Sequence, residues 1–183
     1  MQAKIKGMTG IFSIPLKGLK TGRYSFDFKI DNEFFEKFEE SEIKEGVLSA
    51  TVEIEKMSSH LDLIVKISGT VTINCDRCLE MFSHRINCEN RLIVKSEEDI
   101  SSSDADIIYL PADEYELDLR QHFYEFIHLA LPIRRVHPAG KDGKTGCNSE
   151  MIKRLNELLI DEDKQNNADP RWDELKKLMN NKN

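Results

Sequence analysis

Long apolar runs are missing from this chain of 183 residues. The longest uncharged stretch near the start, Gly7 to Leu16, spans ten residues and contains Pro15. A membrane-spanning helix needs about 20 apolar residues, and a secretory leader needs a compact apolar core ahead of a small-residue cleavage site. Neither is legible, so a cytoplasmic chain with no membrane segment is expected. Glycine, at 9, and proline, at 5, are too few for a collagen-like or low-complexity polymer. Neither the P-loop pattern nor the Gly-rich dinucleotide fingerprint occurs, which argues against a nucleotide cofactor.

Charge is what the chain has in excess. Charged residues make up 32%, against the ~25% of an average domain, and imply much solvated surface. The balance of 26 Lys and Arg against 33 Asp and Glu leaves a net −7. A dedicated RNA coat is normally basic, because neutralising phosphates supplies its sequence-independent affinity. The placement is uneven, however. From Glu97 to Asp118 there are nine acids and no Lys or Arg. Asp104, Asp106, Asp113 and Glu114 are the candidate docking acids of this belt, suited to a basic partner. Carboxylates holding metals for a nuclease would also be acidic, but a solvated belt accounts for the same residues, and no paired base and nucleophile accompanies them. Catalysis is not expected. The opposite patch contains Arg134, Arg135, Lys141 and Lys144 against a single Asp142. With Arg77 and Arg85 it forms a candidate contact for RNA phosphates. Solvated faces are the bland alternative for both patches.

The first half reads as strands. Tyr24, Phe26, Phe28 and Ile30 alternate with polar residues, the period of a half-buried strand. Val47 to Glu55 is a second strand. Leu61 to Ile73 forms a third after a turn at Met57 to His60, and Ile86 to Lys95 a fourth. Asp31 is placed to cap a short helix through Glu40, with Phe34, Phe35 and Phe38 as its stripe. The second half reads as helices. One runs from an Asp118 cap to about Leu131, with Leu119, Phe123, Phe126 and Ile127 on one face, and Pro132 ends it. A second is capped by Ser149 and turns Met151, Ile152, Leu155, Leu158 and Leu159 inward. Asp169-Pro170 opens a third, whose apolar side is Trp172, Leu175, Leu178 and Met179. The expected fold is α+β: an antiparallel, strand-rich N-terminal half and a helical C-terminal half, with a candidate zinc knuckle. Residues 1–160 are expected to form one domain, and 161–183 a polar linker with a closing helix.

The four cysteines are Cys75, Cys78, Cys88 and Cys147. A Cys-x-x-Cys pair brings two thiolates onto one ion. It could equally be a redox pair, in which one thiol is activated by its surroundings, or two merely buried thiols. Redox motifs sit between a strand and a helix, whereas the residues after Cys78 read as a turn and a strand. A structural zinc then needs two more ligands. His137 and Cys147, joined by a Gly-rich loop, are the expected ones, with Cys88 and His84 as competitors. His122 reads as solvated, and His128 as satisfying a local carbonyl.

The string CDRCLEMFSH, Cys75 to His84, resembles the signature of the YceD family, the large ribosomal RNA subunit accumulation proteins. Three further matches come in order: HLALPIRRVH from His128 to His137, then Cys147, then DPRW from Asp169 to Trp172. Many members of that family carry a second cysteine pair where this chain offers His137 and Cys147. The resemblance implies a cytoplasmic bacterial protein needed for synthesis, processing or stability of 23S rRNA, with no established catalytic residue. Its partners would be ribosomal RNA or a basic ribosomal protein. Two readings therefore stand: a non-enzymatic ribosome biogenesis factor with zinc on Cys75, Cys78, His137 and Cys147, and a thiol-disulfide oxidoreductase using Cys75 and Cys78.

Overall fold

The computed structural model describes residues 3–6, 12–96, 107–111, 113–140 and 145–159. In chain order its strands are β1 (Ala3–Lys6), β2 (Ser13–Pro15), β3 (Gly22–Ile30), β4 (Glu45–Lys56), β5 (His60–Asn74), β6 (Met81–Ser96), β7 (Ile107–Leu110) and β8 (Glu116–Asp118). Its helices are α1 (Asn32–Phe35), α2 (Arg120–Leu129) and α3 (Ser149–Leu158).

The alternating residues build one large sheet, in the order β1-β3-β4-β5-β6-β7. Strands β3 to β6 form an antiparallel meander, while the edge strands β1 and β7 run parallel to β3 and β6. Because side chains alternate across a strand, one face collects the apolar set. Phe28, Ala50 and Ile67 lie abreast on β3, β4 and β5, and Cys88 of β6 completes that row. Residues such as Ile54, Leu63, Val65, Ile86 and Val94 are buried on this same face, each contributing roughly 1.5–3 kcal/mol relative to exposure.

Helix α2 and an aromatic cluster cover that face. Phe123 and Ile127 of α2 are fully buried, and the Phe123 ring lies 5.4 Å from Phe28 and 6.1 Å from Phe12. Phe12 in turn meets Phe34 edge-on at 4.9 Å, a geometry the ring quadrupoles favour. Strands β2 and β8 make a small second sheet in which buried Ile14 faces buried Leu117. Gly69 of β5 sits at φ +153° where the backbone of β4 comes close; a Cβ there would lie 2.3 Å from the Val47 carbonyl oxygen.

The expected helical C-terminal half is not what forms. Strands account for 48% of the described residues and helices for 18%. Two strands lie inside the acidic belt. The four-residue β7 is recruited by the open edge of β6, and β8 by β2, so their own sequence pattern does not announce them. Chain 131–140 is extended or turned, with Pro132 and Pro138 denying it helical hydrogen bonds. The helix expected from Asp31 to Glu40 shrinks to Asn32–Phe35, without a side-chain cap from Asp31. It continues in tight turns, Lys37 N–H to Phe34 O and Phe38 N–H to Phe35 O, which bring Phe38 to stack on Tyr124 at 4.0 Å. Helix α3 is capped by Asn148, and Ser149 is its first residue; none of its residues is buried, so the inward face expected for it has nothing over it among the described residues. The closing helix expected after Asp169 lies outside the described residues. No helix among the described residues is long and apolar enough to cross a membrane.

Candidate metal centre

Strand β5 delivers Cys75 to a tight knuckle, and β6 leaves from it. The Leu79 N–H donates to the Cys75 carbonyl at 2.9 Å, and the Cys75 N–H to the Glu80 carbonyl at 2.9 Å. The Arg77 N–H points at the Cys75 sulfur, 3.4 Å away. This turn requires a left-handed residue, and Leu79 supplies it at φ 62°, at a cost of roughly 1–2 kcal/mol for a side chain with a Cβ. Cys75 and Cys78 are both buried.

A second segment is clamped onto the knuckle. The Asp76 N–H donates to the Arg135 carbonyl at 2.7 Å, and the Arg135 N–H donates to the Asp76 carboxylate at 2.6 Å. Two residues on, His137 packs its ring 4.8 Å from Phe82 and sets Nδ1 3.4 Å from the Cys78 sulfur. A bridge between Ala139 and Thr145 turns the chain back, and Cys147 arrives 3.8 Å from the Cys75 sulfur. Asn148 then fixes the exit: its amide donates to the Glu80 carboxylate at 2.7 Å, and its side-chain oxygen accepts from the N–H groups of Glu150 and Met151 at the start of α3.

The ligand atoms of Cys75, Cys78, His137 and Cys147 all lie within 4.8 Å of one another. Two Zn–S bonds of ~2.3 Å at a tetrahedral angle put their sulfurs ~3.8 Å apart, so the donor set and its spacing fit a four-coordinate zinc shell. Burial works to raise the Cys75 thiol; the hydrogen bonds of Cys78, Arg77 and His137 outweigh it and bring the group down to about 6. Cys147 is pushed up, by burial first and then by the neighbouring Cys75 and Cys78. Such a cluster favours a cation that can compensate several thiolates at once.

The two competitors lie elsewhere. Cys88 is seven residues along β6 from Met81, about 24 Å at strand rise; it packs against the core with its sulfur 3.9 Å from the Phe126 carbonyl, and burial pushes its thiol up. His84 pairs with Val71 in the sheet and is not in the cluster. His122 is not solvated as expected: it is half-buried, its Nδ1 has no partner among the described residues, and burial pulls its pKa down. His128 Nδ1 does meet a local carbonyl, that of Tyr124, at 2.8 Å.

The candidate contact residues divide. Arg77 belongs to the knuckle, and the Asp76–Arg135 clamp places Arg134 and Arg135 beside it, with the Arg135 guanidinium paired to Glu42. Arg85 stands on β6 opposite Thr70, away from the cluster. Lys141 and Lys144 lie outside the described residues, as do Asp104 and Asp106. Asp113 and Glu114 are exposed between β7 and β8. Glu114 borders a cleft of about 360 Å³ at the far end of the sheet, alongside Lys17, Lys56 and Lys95. Asp118 is paired with Arg120 at 2.8 Å, so part of the belt has basic company within the chain. Those lysines come from three separate strand ends, and no local signal in the sequence joins them.

Comparison with curated proteins and with solved structures returned no match. A family model does match: "Large ribosomal RNA subunit accumulation protein YceD", over residues 63–179. That span holds the knuckle, the clamp and all four clustered ligands, and exceeds half of the chain. This chain belongs to the YceD family.

Proposed function

We propose that this protein is a non-enzymatic factor supporting synthesis, processing or stability of 23S rRNA in the bacterial cytoplasm, built around a structural zinc knuckle. The family is described by large-subunit ribosomal RNA accumulation. The observation that carries the metal reading is the convergence of three sulfurs and one imidazole within 4.8 Å. Zinc held by Cys75, Cys78, His137 and Cys147 would be a closed, structural site, tying the segment after α2 to the β5–β6 hairpin. Around it, Arg77 and Arg134 offer cations to phosphates, joined in this reading by Arg85, Arg135, Lys141 and Lys144. The acidic belt, with Asp104, Asp106, Asp113 and Glu114, is read as the docking surface for a basic ribosomal protein.

The alternative, a thiol-disulfide oxidoreductase, needs a sulfur open to an incoming disulfide. Both members of the Cys-x-x-Cys pair are buried, and a strand follows them instead of a helix, which favours the structural reading. Depletion of the protein in its own cell tests the function. Large-subunit particles and 23S rRNA should fall relative to the small subunit, and recover with the intact gene. An unchanged ratio of subunits after depletion contradicts the reading.

A further inference from the structure

Helix α3 has an apolar side that nothing described covers. Met151, Ile152, Leu155, Leu158 and Leu159 fall within about a third of the helix circumference at 3.6 residues per turn. Leu155 is 39% exposed, Leu158 78% and Leu159 70%. The bare surface does not stop at the helix. Met151 shares a groove of about 240 Å³ with Cys78, Leu79 and Arg154, and the Leu79 side chain beside it is 71% exposed. Leu79 is also the left-handed residue of the knuckle. Glycine would take that backbone without strain, so a leucine held there and facing water is poorly explained unless something packs on it.

The chain itself contains a candidate cover. Beyond α3 comes the polar stretch 161–168, then Asp169-Pro170, then Trp172, Leu175, Leu178 and Met179 at helical spacing. We propose that residues 169–179 form a helix that docks its apolar stripe on the bare side of α3 and on the tip of the knuckle at Leu79.

Three arguments favour this occupant. A helix of about eleven residues is marginal alone in water, and so is a ten-residue helix with no buried side chain; each gains from a partner. The ten residues from Leu159 to Asp169 can span ~33 Å when extended, at ~3.3 Å per residue, whereas α3 is only ~15 Å long at 1.5 Å per residue. The segment can therefore return along α3 in either direction. Its tether also holds it at a high effective concentration, which a second copy or another protein must outcompete. The family match ends at residue 179, the last residue of the stripe. The inference does not depend on the ribosomal reading. It does link to the metal centre, because Cys147 immediately precedes the Asn148 cap of α3.

Trp172 is the sole tryptophan of the chain, so the full-length protein has its own probe. Docking predicts blue-shifted emission that acrylamide quenches poorly. Leu155→Glu with Leu158→Glu should then raise the quenching constant several-fold and shift emission towards that of hydrated indole. The two positions are exposed, and an unchanged melting transition of the sheet would show that the variant still folds. Hydrogen exchange supplies a second readout: removing residues 160–183 should speed exchange across α3 and leave β4 to β6 unchanged. A hydrated Trp172 in the intact protein overturns the proposal. Shielding that survives the double substitution overturns it too, because the segment then docks elsewhere. Shielding that disappears on dilution, with a dimer mass at high concentration, overturns it in favour of a second copy.

Discussion

His122 illustrates how a single buried group sets a pH limit. It stands half-buried on α2 with Nδ1 lacking a partner among the described residues. Burial pulls its pKa down; Glu125 and Asp118 oppose this and do not prevail. The folded value is therefore below the unfolded one, so the folded state binds the proton less readily. Its contribution to stability is complete above the unfolded pKa of ~6.5 and is lost as pH falls from there through the folded value. Replacing His122 with Leu should remove this loss. Urea midpoints measured at neutral pH and on the acid side would then fall less in the variant than in the native protein. Equal falls in both would place the pH sensitivity elsewhere. The surface pair of Arg91 and Asp62 is a contrasting case. Its hydrogen bond to Arg91, against burial, holds the Asp62 carboxyl below its ordinary range. Arg91 is largely exposed, so the pair contributes only ~0.2–1 kcal/mol.

Among the elements, the β4–β5 hairpin is the least tolerant of change. At Gly69 a Cβ would fall 2.3 Å from the Val47 carbonyl oxygen and 2.6 Å from the Leu48 Cα, both backbone atoms that cannot swing aside. Gly69→Ala should destabilise by about 2 kcal/mol or more, since overpacking and an unfavourable φ act together. A urea midpoint within error of the native one would mean that the two strands part more easily than their register suggests. The long strands were legible because twelve to sixteen residues of alternation leave little choice of phase. Tyr24 to Ile30 and Leu61 to Ile73 are of this kind. Strand β7 was not legible, since four residues carry no period and acquire their role only from the edge of β6. Helix α3 was legible as a helix and misjudged in burial. Amphipathicity says which side is apolar, and not whether anything lies over it.

For the whole molecule, the metal centre is where distant parts of the chain meet. The spacing of Cys75 and Cys78 points to a shared ion from sequence alone. The choice of His137 and Cys147 over His84 and Cys88 rested on loop flexibility, a weak guide. What brings the four together is the paired bonding of Asp76 with Arg135, and a backbone carbonyl has no sequence signature. The charge is distributed around this frame, with Arg77 and Arg134 at the knuckle and Glu114 among lysines at the far end of the sheet. Metal analysis of the protein purified from zinc-sufficient cells, with no zinc added, tests the central claim most directly. The account predicts one zinc per chain in a closed four-ligand shell. That zinc should be lost when Cys75 or Cys147 is replaced by serine, and Cys75, Cys78 and Cys147 should resist alkylation until a chelator removes the metal. A folded protein that carries essentially no zinc, with those three thiols reacting at once, would contradict it.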